Sequence, residues 1–468
     1  MTTALKERGF SPALIAVASL ATFLSNMSAG IVNVPIAGVT GALGAGLGGG
    51  DYALVAIILS YLVPYAVVMP VTAKLGDRYG HKRVFLWGLG LYAASSLAAA
   101  LSPDAAALIA TRALQGLGGG VILGSIVFIS TQVRAERQGL ALGIWRAALL
   151  TGTVGGPVIG GYLSVFLGWR SLFWIPAPAA ALLWLWGLFA LEELPRREER
   201  FDWVGSLAFL LGFSAFVVAL AVSGMDTMQA GLTVAIGKTM RAMAWMLYGV
   251  FVVAMIVLWI NQKTEKKPLF DVSLYRIRPF VLGNLGTWLV CIGMFSAMMF
   301  VPLELQYVAH DSALQATNAL LPLTLTAILV GIWGGHITDR LGPVPPWAAG
   351  FTLMTAGFVA LAYLGPSTPP AVLFAIMTVT GVGMALPLAP TAVAALTTVP
   401  EPSAGEAAGL FNFAHNMGRA MGLGLLGALL VLGDAHSYRL IFWVTAGLMA
   451  CAAVLTVGFV THKAPRTA

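Results

Sequence analysis

The segments AKLGDRYGHKR (73–83) and GGHITDRLG (334–342) decide the reading of this chain. Each closes a long apolar run, and each places a small residue, then Asp-Arg, then Gly at matching spacing. A charged turn repeated between apolar runs marks an internally duplicated membrane protein. A second echo lies further out. Gly143, Gly152 and Gly156 recur as Gly409, Gly418 and Gly422, at the same intervals of nine and four residues.

Composition supports the membrane reading. Of 468 residues, 59% are hydrophobic and 10% are charged, against roughly a quarter charged in a soluble domain. Mean hydropathy is +0.87. A soluble enzyme, a disordered chain and a coiled coil are excluded. The sequence holds fourteen apolar windows long enough to cross a bilayer, without the period-two alternation of barrel strands, so the predicted class is an all-α membrane protein. Charged, Pro-broken linkers near 195 and 267 divide it as six helices, two helices and six helices. The predicted domains are 1–195, an N-terminal six-helix bundle, 196–267, a linker with an extra helical pair, and 268–468, a C-terminal six-helix bundle. With the N-terminus inside, 19 of the 26 Lys and Arg fall on the cytoplasmic side, four outside and three within helices. That bias predicts both termini in the cytoplasm and a cytoplasmic-membrane location. It also accounts for the net charge of +7 without a nucleic-acid partner. Cys291 and Cys451 fall in apolar helices and read as small core residues. No metal-ligand spacing or phosphate loop occurs, and the six histidines are dispersed, so no metal, cofactor or enzymatic activity is expected.

Taken together, the motifs resemble the major facilitator superfamily, specifically its 14-helix drug:proton antiporter branch. AKLGDRYGHKRVFL (73–86) is similar to the loop 2–3 signature, with Ala73 where the family usually has Gly. LIATRALQGLGGG (108–120) is similar to the fourth-helix signature, and GTVGGPVIGGYL (152–163) to the fifth-helix antiporter signature. The resemblance implies the major facilitator fold and transport by alternating access. It implies a conformational latch at Asp77, Arg78 and Gly80, repeated at Asp339 and Arg340, with Arg134 and the helix start near Gly405 as partners for Asp77. It implies proton coupling involving Arg112. Gly152, Gly156, Pro157, Gly160 and Gly161 remove side chains from one stretch of the fifth helix, which the resemblance makes a contact along which the bundle rocks.

Ionisable groups inside a bilayer cost a few kcal/mol each and are functional candidates by default. Besides Arg112, these are Arg146, His415, Arg419 and Glu304. Asn412, His415 and Arg419 share a helix face, and Arg146 matches Asn412 in the repeat. The first helix carries Ser28 where the resembling family has Asp. Arg146, Asn412 and Arg419 are therefore expected to line a substrate cavity of cationic character, with Glu304 and His415 as further proton-coupling candidates. The expected function is proton-coupled secondary active export of small amphiphilic molecules, of multidrug-efflux type. Alternatives are a dedicated exporter of one anionic or lipid-like metabolite, or a transport-fold sensor without flux. The expected partners are a small-molecule substrate, protons and the lipid bilayer, and the expected state is a monomer.

Overall fold

The computed structural model describes residues 12–43, 50–125, 133, 135–194, 201–228, 234–265, 269, 272–365, 368–400, 403–430 and 434–460. Among them there are helices and connecting turns, and no strand. The long helices are α1 (Pro12–Gly30), α2 (Gly50–Tyr79), α3 (His81–Ala100), α4 (Ala105–Ile122), α5 (Ala135–Leu167), α6 (Ser171–Ala190), α7 (Trp203–Met228), α8 (Val234–Thr264), α9 (Arg278–Tyr307), α10 (Ala313–Leu341), α11 (Val344–Ala362), α12 (Pro370–Leu396), α13 (Ala404–Gly427) and α14 (Ala435–Val460). Thirteen of these are long and apolar enough to cross a membrane. The remaining one, α13, has 24 residues but carries Glu406, Asn412, His415, Asn416 and Arg419, which lower its hydropathy. It nevertheless takes the fifth place in its six-helix set, as its packing shows below.

Local chemistry sets several helix starts. The Asp104 carboxylate accepts the Ala107 N–H at 2.8 Å and caps α4. Ser312 and Gln315 form a reciprocal capping box at α10. Prolines open α9, α11 and α12, where a missing N–H costs nothing.

The chain forms two compact units. One holds Met1–Ala219 with Trp245–Leu269, the other Leu220–Ala244 with Phe270–Ala468. The division runs through α7 and α8, so the extra pair is shared between the units. Within the first unit the dominant helix pairings are α1 with α5, α2 with α4, α3 with α4 and α3 with α6. Within the second they are α9 with α13, α10 with α12, α11 with α12 and α11 with α14. The wiring is the same once eight is added to each number, which is the structural form of the sequence repeat. Cys451 is exposed on α14, whereas Cys291 is buried. An apolar window cannot distinguish a lipid-facing position from a core one, which is why both read alike in sequence.

Candidate functional site

The charged turn after α2 is held by its own unit. Gly80 has φ 103°, open to glycine alone at little cost, and its repeat Gly342 has φ 77°. A Cβ on Gly80 would also lie 2.6 Å from the Glu193 carboxylate, just beyond α6. Glu193 accepts the Lys82 N–H at 3.1 Å and lies 4.0 Å from Arg83, and the Lys82 ammonium donates to the Leu188 carbonyl at 2.7 Å. The turn is thus clasped to the end of α6. Asp77 meets His81 one helical turn on, Nε2 to Oδ1 at 3.1 Å, an ion pair when the imidazole is protonated. Arg78 is exposed, its guanidinium 5.4 Å from the Tyr79 ring. Of the partners expected for Asp77, Arg134 lies outside the described residues, and Gly405 belongs to the other unit. Asp339 and Arg340 are exposed, and their side chains make no hydrogen bond or ion pair among the described residues. Pro343 follows Gly342 where Gly80 is followed by His81-Lys82-Arg83, so the second turn lacks the clasp.

Arg112 is fully buried on α4. Its two terminal nitrogens donate to Gln115 Oε1 at 2.7 Å and to the Ser28 carbonyl of α1 at 3.0 Å. The guanidinium lies 4.2 Å from the Tyr61 ring centroid and 5.8 Å from that of Phe173. Gln115 in turn donates to Ser96 at 2.7 Å, Tyr61 donates to the Ser25 carbonyl, and the Ser28 hydroxyl is hydrogen-bonded to Tyr92, whose hydroxyl also reaches the Leu24 carbonyl at 3.1 Å. Among the described residues every group in contact with this cation is neutral, and its Nε has no hydrogen-bond partner. The charge is solvated by amide, carbonyl and aromatic dipoles, with no carboxylate in contact among the described residues. Sequence singled out Arg112 and the absent acid at Ser28. It missed Tyr61, Tyr92 and Ser96, which come from other helices.

The fifth-helix glycines face α1 within the first unit. A Cβ on Gly152, Gly156 or Gly160 would lie 2.6, 2.6 and 1.8 Å from the carbonyl oxygens of Phe23, Met27 and Ile31. Pro157 packs on Gly30, and Gly161 is buried. The second unit repeats the contact. A Cβ on Gly418 would meet the Trp288 carbonyl at 2.4 Å, and one on Gly422 would meet Ile292 at 3.3 Å. This register equates Asn26 with Cys291, Leu149 with His415 and Thr153 with Arg419. In the first seam, Thr153 donates to Asn26 at 3.3 Å. In the second, Cys291 Sγ and His415 Nδ1 are 3.2 Å apart, and buried Arg419 donates to Asn416 at 3.1 Å.

The remaining candidates fall in both units. Arg146 is exposed on α5 of the first unit, while Asn412, His415 and Arg419 belong to the second. Glu304 is half-buried at the end of α9, with Arg439 of α14 the charge that acts on it. No cluster of three or more His, Cys, Asp or Glu able to hold a metal occurs among the described residues.

Structural likeness is to a peptide transporter POT in complex with sulfate, at TM-score 0.70 and 15% identity over 98% of this chain and 97% of that one. An auto-inhibited POT family peptide transporter gives TM-score 0.68 at 14% identity, covering 97% and 98%. These likenesses concern the fold. In sequence, the chain is 29% identical over 414 residues to the multidrug resistance protein Stp of Mycobacterium tuberculosis, covering 88% of this chain and 74% of that protein. It is 26% identical over 419 residues to the multidrug transporter protein MdtP of Bacillus subtilis, with the same coverage. It is 28% identical to the tetracenomycin C resistance and export protein of Streptomyces glaucescens, over 83% of this chain and 70% of that one. The profile of the Major Facilitator Superfamily matches residues 18–423 and 284–468. With its twice-repeated six-helix wiring and its spans, the chain belongs to the Major Facilitator Superfamily of multi-pass membrane transporters.

Proposed function

We propose that this transporter is a proton-driven exporter of small amphiphilic molecules, and that it favours anionic or zwitterionic ones. The export reading draws on relatives named for multidrug resistance and drug export. The charge preference rests on one observation: Arg112 is buried among neutral groups, and the position beside it on α1 is Ser28. An organic cation gains nothing from such a core, whereas a carboxylate is attracted to it. Asp77, Arg78, Gly80 and the second turn at Asp339 and Arg340 act as the conformational latch, and the seam at Gly152, Gly156 and Gly160 keeps the first bundle rigid as it moves. The protein works as a monomer in the cytoplasmic membrane with both termini inside.

The test is transport by reconstituted proteoliposomes under an imposed pH gradient, with norfloxacin, a zwitterion bearing a carboxylate, and ethidium, a lipophilic cation. Gradient-driven norfloxacin movement well above that of ethidium is expected. Robust ethidium transport overturns the charge preference, movement indifferent to the gradient overturns proton coupling, and absence of flux with both favours a sensor.

A further inference from the structure

The two seams that share one glycine register differ in one respect that chemistry can use. At the seam of α1 and α5 the residues in these register positions are Asn26, Leu149 and Thr153, none of which ionises. At the equivalent seam of α9 and α13 they are Cys291, His415 and Arg419. His415 Nδ1 is 3.2 Å from the Cys291 sulfur. Its Nε2 is buried and has no hydrogen-bond partner. A thiol both donates and accepts weak hydrogen bonds, so Nδ1–H can donate to Sγ while Nε2 keeps a lone pair. A proton arriving at Nε2 then leaves the contact between the helices intact, and the ring holds its orientation through the cycle.

The surroundings of His415 contain few charges. Its own helix supplies Arg419, one turn on, whose like charge repels a protonated ring and so favours release of the proton in this conformation, and α9 supplies Cys291. The second half of α12, which also packs on α13, has no ionisable residue between Pro370 and Leu396. In the first unit, by contrast, the hydrogen bonds of buried Arg112 go to the neutral Gln115 amide and Ser28 carbonyl, with no carboxylate or imidazole in contact among the described residues.

We infer that His415, held by Cys291 in the seam of α9 and α13, is the group that takes up and releases the transported proton, and that Arg112 is a fixed charge outside proton exchange. The inference rests on the proposed proton coupling and assigns it to one side chain. One proton binds Nε2 from the outer side and leaves it to the cytoplasm in each cycle, with no other bond made or broken.

The test uses full-length protein in proteoliposomes with norfloxacin. His415→Gln retains a hydrogen-bonding side chain of similar reach but cannot carry the proton. It is expected to lose gradient-driven transport while keeping norfloxacin exchange at equal pH on both sides, which needs no net proton movement and reports a folded carrier. His415→Leu installs the residue that the first seam already accommodates, and is expected to behave in the same way. Gradient-driven transport at the wild-type rate in either variant, with exchange intact, overturns the inference and leaves proton coupling standing. Wild-type transport indifferent to the gradient overturns both.

Discussion

Arg112 is the clearest case of a side chain whose surroundings decide its chemistry. A buried guanidinium held by a backbone carbonyl, a side-chain amide and an aromatic face resists removal, because its partners would be left unpaired. Arg112→Gln is expected to lower stability by about 3 kcal/mol, read as reduced thermal stability of the purified protein. An unchanged melting temperature would show that the network contributes little. Ser28→Asp makes the opposite change. It places a carboxylate where the hydroxyl now meets Tyr92, beside the carbonyl that accepts from Arg112. Ethidium export is expected to rise several-fold over wild type, and efflux assays in cells would detect it. No gain would mean that the charge beside Arg112 does not govern substrate preference. The arginine and the missing acid were both legible in the sequence, since a charge within an apolar run stands out. The neutral shell was not, because Tyr61, Tyr92 and Ser96 are ordinary residues that matter only through contacts made across the chain.

At the scale of helices, the glycine seams were legible because the spacing 152, 156, 160 can be read directly as one face of a helix. Gly160 is the tightest point, with no room between α5 and the Ile31 carbonyl for a methyl group. Gly160→Ala should force the helices apart at a cost of about 1–3 kcal/mol and lower the yield of folded protein. Gly155→Ala, whose added carbon would meet only Ile159 at 3.8 Å, should be silent. Equal effects from the two changes would remove the close approach as the cause. The Asp202 staple was not legible. Its carboxylate, at the head of α7, accepts the Gly205 N–H at 2.7 Å, the Asn261 side chain at 2.7 Å and the Leu269 N–H at 3.1 Å. It fastens the start of α7, the end of α8 and the linker beyond. Asp202→Ala leaves three donors without their acceptor and should cost on the order of 3 kcal/mol, visible as a lower melting temperature with substrate exchange per folded molecule retained. In sequence, Asp202 is one acid in the charged linker region around residue 200, and its partners lie 59 and 67 residues on. The clasp of Gly80, Lys82 and Arg83 onto Glu193 escaped for the same reason, with partners more than a hundred residues apart.

Over the whole molecule, the duplication was readable from the charged turns and glycine intervals, and the pairing of helices repeats accordingly in each unit. The fourteen windows correspond to thirteen clearly apolar spans and α13, whose polar residues include the candidates Asn412, His415 and Arg419. The lysine and arginine bias predicts the topology. Cysteines placed at Lys238 and Lys266 should divide cleanly, the first labelled from outside intact cells by an impermeant maleimide and the second protected. Labelling of both, or the reverse, would refute the orientation. The staple at Asp202 also bears on biogenesis. Asp202 and Leu269 are separated by 67 residues, and at about 5–20 residues per second a ribosome needs several seconds to pass from one to the other. During that interval α7 is made but its anchor is incomplete, so the first six helices are assembled while the hairpin that follows them is still waiting for its last strap. Arrested nascent chains should become protease-resistant around α7 and α8 only once Leu269 has cleared the exit tunnel, which makes the linker before α9 a timing element in synthesis.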